Sequence, residues 1–143
     1  MIQKCFFCDI QKQKDNKRII ENKDFFSRYD DFPVSNGHAE IIPKSHISSI
    51  FELSTQQISG LFELLTETKK IIEKKFNPDG FNIGVNEGES AGQSVFHLHV
   101  HLIPRYKGDV KNPRGGIRNI FSKNADYTPE AKKIPSRKDY VSG

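Results

Sequence analysis

Val95-Phe96-His97-Leu98-His99-Val100-His101-Leu102-Ile103 sets three histidines at every second position with apolar residues between them. Side chains of a strand alternate between its two faces. The stretch therefore predicts a strand over 95–103. Phe96, Leu98, Val100 and Leu102 would face a core, and three imidazoles would share the other face. Imidazole changes charge near neutral pH, so that second face points to acid–base, nucleophilic or metal chemistry. No general requirement of folding explains histidines in strict alternation.

The same period appears upstream. Ile19-Ile20 and Phe25–Tyr29 predict two short strands joined by the turn 21–24, and His38–Pro43 predicts another that its proline ends. Asp30–Gly37 between them is a loop, and a short helical segment is expected around Ile47–Phe51. Ser54 with Gln57 three residues on forms a capping box and opens a helix running from Thr55 to about Phe76. Ile58, Leu61, Phe62, Leu65, Ile72 and Phe76 recur on it at helical spacing, interrupted by Thr68 and Lys69. Lysines 69, 70, 74 and 75 complement the dipole near its C-terminal end, and Asn77-Pro78-Asp79-Gly80 stops it. Phe81–Asn86 alternates as a strand, and Glu87–Ser94 is a loop containing glycine. Together these predict an α+β domain, an antiparallel sheet with one long helix against it and an irregular basic C-terminal extension.

The bulk numbers agree with one domain. The chain has 143 residues, 35% of them hydrophobic, with eleven Phe and no Trp. No apolar run is long enough for a membrane span and the first residues lack a signal-peptide core, so the expected compartment is the cytoplasm. The net charge of +4 is unevenly spread. Residues 105–143 carry ten Lys/Arg against four Asp/Glu, whereas the rest carries twelve against fourteen. Such a tail attracts polyanions, or is simply a solvated terminus. Its aromatic residues Tyr106, Phe121, Tyr127 and Tyr140 are too widely separated for a single-strand nucleic-acid platform, so no nucleic-acid partner is expected.

Two chemistries compete for the histidines. Gly92-Gln93-Ser94 precedes them with only Val95 and Phe96 between, and small residues there let backbone N–H groups approach an anion. Imidazoles joined to such a loop could supply the nucleophile, the oxygen donors and the acid of phosphoryl chemistry. Alternatively, His-x-His with a further histidine could hold an open catalytic zinc. Cys5-Phe6-Phe7-Cys8 offers zinc a better home, because two thiolates need two more ligands and His46 and His97 are candidates. The plain alternative is two cysteines packed with Phe6 and Phe7. All five histidines fall within 38–46 and 97–101, which favours a shared site.

From Gly92 to Ile103 the chain resembles the histidine triad family of nucleotidyl hydrolases and transferases, whose signature is His-φ-His-φ-His-φ-φ after Gly-Gln-Ser/Thr. Pro33-Val34-Ser35-Asn36-Gly37-His38, Ile42-Pro43-Lys44-Ser45-His46 and Asn86-Glu87-Gly88 extend the likeness over residues 5 to about 105, roughly three quarters of the chain. The resemblance implies a triad domain over 1–106, with an extension over 107–143. It implies that His99 is the nucleophile at an α-phosphorus, with His101 and His38 beside the phosphate. Gln93 and Ser94 would hydrogen-bond phosphate oxygens, Asn86 would lie on the neighbouring strand, and Asp30 would hold ribose hydroxyls. It further implies a structural zinc on Cys5, Cys8, His46 and His97, no redox or organic cofactor, and a homodimer with a sheet continuous across both subunits. Asp31 departs from the apolar residue common beside the ribose position, and Asn36 stands where many relatives have proline. Pro104-Arg105-Tyr106-Lys107-Gly108-Asp109 resembles the branch that splits dinucleoside polyphosphates, releasing AMP. That is the expected activity; a purine nucleoside phosphoramidase or a zinc-stabilised nucleotide-binding module with little activity are its rivals. Arg105, Lys107, Arg114 and Arg118 are candidates for distal phosphates on charge and position.

Overall fold

The computed structural model describes residues 4–124. Contacts divide the chain into two units, Met1–Tyr106 and Lys107–Gly143. In the first unit five antiparallel strands, β1 (Arg18–Glu21), β2 (Phe25–Tyr29), β3 (Ala39–Pro43), β4 (Gly80–Gly84) and β5 (Val100–Arg105), form one sheet in the order β1-β2-β3-β5-β4. A short helix α1 (Phe6–Asp9) and a long one, α2 (Thr55–Phe76), complete it. This is the α+β architecture expected from the sequence. In the second unit, a 3-10 segment spans Gly116–Asn124 and breaks at Phe121. The sequence's remaining basic extension, 125–143, lies outside the described residues.

The two faces of the sheet have different cores. Phe25, Ala39, Ile41, Val100 and Leu102 are buried with Leu61, Leu64 and Ile72 of α2. On the other face Phe26 and Ile42 are buried with Phe7 and Ile10 from the N-terminal segment. Alternation along β2 and β3 thus sends successive side chains into different clusters.

The buried stripe of α2 differs from the predicted one. It runs Leu61, Leu64, Thr68, Ile72, while Ile58 is 48% and Phe62 67% exposed. Thr68, which looked like an interruption, is fully buried because its hydroxyl donates to Ser27 Oγ at 2.9 Å. The capping box forms as expected: Gln57 N–H donates to Ser54 Oγ at 3.1 Å, and Ser54 N–H to Gln57 Oε1 at 2.9 Å. Asn77 closes the helix in the left-handed region at φ 52°. Ser54→Ala should therefore destabilise the fold by about 1 kcal/mol, read from the midpoint of chemical denaturation.

The histidine strand begins later than the sequence predicts, at Val100 rather than Val95. Upstream, the chain pairs with a loop instead of a strand. Leu98 N–H donates to Ile47 O at 2.6 Å, and Ser48 Oγ donates to Phe96 O at 3.0 Å. The β3 partner ends at Pro43, which has no N–H to continue the ladder. Leu98, Val100 and Leu102 still enter the core, but Phe96 is 51% exposed.

Candidate active site

Registration of the sheet brings the site together. Arg28 lies opposite Glu40, Glu40 opposite His101, and His101 opposite Gly84, so one row crosses four strands. His38 immediately precedes β3, and His99 immediately precedes β5. The His99 and His101 rings are 5.0 Å apart, and those of His38 and His101 5.1 Å.

Hydrogen bonds assign the imidazole tautomers. His99 Nδ1 lies 2.9 Å from His97 O, and a carbonyl can only accept. In the neutral ring Nδ1 therefore carries the proton and Nε2 keeps the lone pair. Val34 N–H donates to His38 Nδ1 at 3.2 Å, which puts the His38 proton on Nε2, directed at His101 Nδ1 at 2.9 Å. His101 Nδ1 is thus an acceptor, and its Nε2–H is left as a donor. Burial, then the neighbouring His99 and His38, push the His101 pKa down to about 4 against the opposing charge of Asp30. Burial likewise lowers His38, with Asp30 opposing. Both rings are neutral at pH 7.

Asp30 borders this pair, with Oδ2 3.4 Å from His38 Nε2 and 3.7 Å from His101 Nδ1. Its Oδ1 accepts from Phe32 N–H at 2.8 Å. Burial pushes its pKa up, but Phe32, Glu40 and the two histidines outweigh that and hold it below the usual carboxylate range. A cavity of about 530 Å³ lined in part by Asp30, Ser35 and His38 opens beside it.

The Gly-Gln-Ser loop is built differently from its sequence reading. Gln93 is buried, and its carboxamide is engaged by the surrounding backbone: Oε1 accepts from Gly88 N–H at 2.9 Å, and Nε2 donates to Ser48 O at 3.0 Å. Gln93 braces the loop, while Ser94 and Asn86 are exposed at its surface. Gly92 takes φ 91°, a conformation that favours glycine, and it turns the chain toward the histidines.

A second cluster lies one step along the chain. Cys5, Cys8, His46 and His97 form a group that could hold a metal ion. His97 Nε2 donates to Pro43 O at 2.8 Å, leaving the Nδ1 lone pair available to a metal ion. That Nδ1 is 3.4 Å from Cys5 Sγ, 3.5 Å from Cys8 Sγ and 3.3 Å from His46 Nδ1, and Cys8 Sγ is 3.4 Å from His46 Nδ1. Tetrahedral zinc with ordinary bond lengths requires edges of about 3.3 Å for N···N and about 3.6 Å for S···N. The four donors fit that ion, and together they leave no open position. The site therefore joins three expected histidines, His38, His99 and His101, with Asp30, and places His97 among the thiols. Glu40 and Arg28 were not foreseen. The available signal was that Glu40 stands two residues after His38, on the same face of a strand.

The HIT domain family matches residues 11–108. The chain is 35% identical over 131 residues to Protein hit of Bacillus subtilis, covering 90% of this chain and 86% of that protein. It is 38% identical over 77 residues to the bis(5'-nucleosyl)-tetraphosphatase (asymmetrical) of Schizosaccharomyces pombe, covering 54% of this chain and 42% of that one. The crystal structure of a Zn-bound histidine triad family protein from Mycobacterium smegmatis superimposes with a TM-score of 0.67 at 32% identity, covering 73% of this chain and 77% of that chain.

Proposed function

The chain belongs to the HIT domain family, and on that premise we propose that it hydrolyses dinucleoside polyphosphates through a covalent nucleotidyl intermediate on His99, releasing AMP. The observation that supports this reading is the bond from His99 Nδ1 to His97 O, which leaves the Nε2 lone pair available for attack. Its lone pair forms a bond to the α-phosphorus as the P–O bond to the distal polyphosphate breaks with its electron pair. The leaving polyphosphate is stable as an anion, so His101 Nε2–H need only donate a hydrogen bond to it. Water then attacks the phosphorus, the P–N bond breaks, imidazole recovers its lone pair, and the water proton passes to solvent. Two easier displacements replace one difficult one.

Ser94 and the backbone of its loop hold phosphate oxygens in this reading, with Asn86 at the same surface. Phe32 N–H takes one acceptor position of Asp30, which leaves capacity for a ribose hydroxyl. Zinc on Cys5, Cys8, His46 and His97 is structural, because those donors complete its coordination. The Zn-bound M. smegmatis neighbour supports that identity. Exposed Ile58 and Phe62, one turn apart on α2, support a homodimer, which light scattering of the purified chain would check.

Parallel turnover of diadenosine tetraphosphate and adenosine 5'-phosphoramidate tests the substrate class. Faster cleavage of the tetraphosphate is expected. A preference for the phosphoramidate would replace the reading with a phosphoramidase, and binding of AMP without turnover of either would leave a binding module.

A further inference from the structure

The loop between β2 and β3 carries Asp30 and leads into His38, and its backbone closes on itself. Asp30 N–H donates to His38 O at 2.9 Å, and His38 N–H donates to Ser35 O at 3.2 Å. Within the loop Val34 N–H meets His38 Nδ1 at 3.2 Å, the long end of the ordinary range. That contact decides which way the histidine pair is polarised. Asp30 Oδ2 lies 3.4 Å from His38 Nε2 and 3.7 Å from His101 Nδ1, so it favours a proton between the rings without choosing the ring. A backbone N–H can only donate. The Val34 amide therefore excludes a proton from His38 Nδ1, sends it to Nε2, and leaves His101 with its own proton on Nε2. Val34 donates to His38, His38 donates to His101, and His101 keeps one donor to offer.

A contact that long depends on its donor being held in place, and the two residues after Val34 are tied to the end of β5. Ser35 Oγ donates to Pro104 O at 2.7 Å, and the Tyr106 hydroxyl donates to Asn36 O at 2.6 Å. Pro104 stands on the strand that carries His101. Gly37, at φ 86°, settles against the last residue of α2, where a Cβ would stand 2.8 Å from Phe76 Cδ2. The side chain of Val34 is 72% exposed and adds no anchor of its own. The loop that presents one histidine is thus fastened to the strand of the other. We propose that Ser35 and Tyr106 are positioning residues of the phosphate site: their hydroxyls fix loop 33–37 to the end of β5, keep the Val34 amide on His38 Nδ1, and so hold His101 in the Nε2–H form. This role rests on the reading of His101 Nε2–H as the donor to the leaving polyphosphate. In the reversed pair His38 carries its proton on Nδ1 and His101 on Nδ1, and His101 Nε2 turns a lone pair toward the phosphate.

In the full chain labelled with nitrogen-15 histidine, two-bond proton–nitrogen correlations at neutral pH read the tautomer of each ring without turnover. His38 and His101 should both be Nε2–H in the wild type. Ser35→Ala combined with Tyr106→Phe should move both rings toward an even mixture, because Asp30 does not choose between them. The kcat/KM for diadenosine tetraphosphate should fall about twofold in step, since only the fraction with its donor toward the phosphate is competent. Should the double substitution unfold the chain, the single variants, each lacking one hydroxyl, should show the same shift part-way. Replacing the Val34 amide by an ester deletes the N–H alone and should give the full mixture with every side chain in place. Folded Ser35 and Tyr106 variants whose rings both stay Nε2–H, even with a lowered melting temperature, overturn the proposal, and so does an ester variant that keeps the wild-type tautomers. Failure of the wild type to cleave either the tetraphosphate or the phosphoramidate would count against the hydrolase reading instead, and the tautomers would still decide for or against the two tethers.

Discussion

His99→Ala should lower kcat for diadenosine tetraphosphate by at least about a thousandfold, while the Kd for AMP changes by less than about threefold. The size of the effect follows from what the ring does in the proposed mechanism. It makes the only bond to phosphorus in the first displacement, so removing it deletes a step rather than weakening a contact. Neither neighbouring histidine can replace it. His101 Nδ1 faces His38 at 2.9 Å, and its remaining nitrogen carries a proton in place of a lone pair. In the proposed reading nucleotide affinity rests on other groups, the loop around Ser94 and the carboxylate of Asp30. The His99 ring also packs against Phe7 at 5.0 Å, so the melting temperature of the variant must be recorded beside its kinetics. Residual turnover above about a tenth of wild type, in a folded protein, would contradict the assignment.

The largest effect on stability is expected at the thiol–histidine cluster. Cys8→Ser, or removal of metal by a chelator, should lower the melting temperature by about 10 °C, equivalent to roughly 2 kcal/mol in a domain of this size. Cys8 Sγ approaches His46 and His97 at 3.4 and 3.5 Å, so one substitution would remove a donor from the proposed closed set. The cluster also ties three distant parts of the chain together. Cys5 and Cys8 flank the N-terminal segment whose Phe7 and Ile10 cover one face of the sheet, and His97 Nε2 holds the carbonyl of Pro43 at the end of β3. Chemistry should suffer less than stability, because the histidines proposed as catalytic are not among the proposed zinc ligands. Some loss is expected all the same, since the carbonyl that orients His99 belongs to His97. Metal analysis and calorimetry check this together. A protein that contains no zinc and melts unchanged after Cys8→Ser would leave two plain thiols.

Local rules made most of the fold legible, and longer-range ones account for what they missed. The capping box at Ser54 and Gln57, the αL stop at Asn77 and the alternation from Val100 to Leu102 are each decided within a few residues. The candidate site was legible where chemistry repeats, in His97, His99 and His101. Even so, alternation alone treats those three as equivalent. The family resemblance separates them, and in the structure Pro43 and the thiols, which approach from elsewhere in the chain, set His97 apart. Thr68 could not be recognised as core from its own helix, because its burial depends on Ser27 accepting its hydroxyl across 41 positions. Glu40 and Arg28 were missed for a related reason. In sequence they are ordinary charged residues on short strands, and only the register of β2, β3 and β5 stacks them beside His101.

The central claim is that a bond forms between His99 and the nucleotide phosphorus. Wild-type protein mixed briefly with diadenosine tetraphosphate, quenched in alkali to preserve a P–N bond and analysed by peptide mass spectrometry, tests it most directly. The account predicts one added adenylyl group on the peptide bearing His97 to His101, assigned to His99 by fragmentation and missing from His99→Ala. Turnover without any adenylylated species under rapid quench, or the adduct on a different residue, would contradict it.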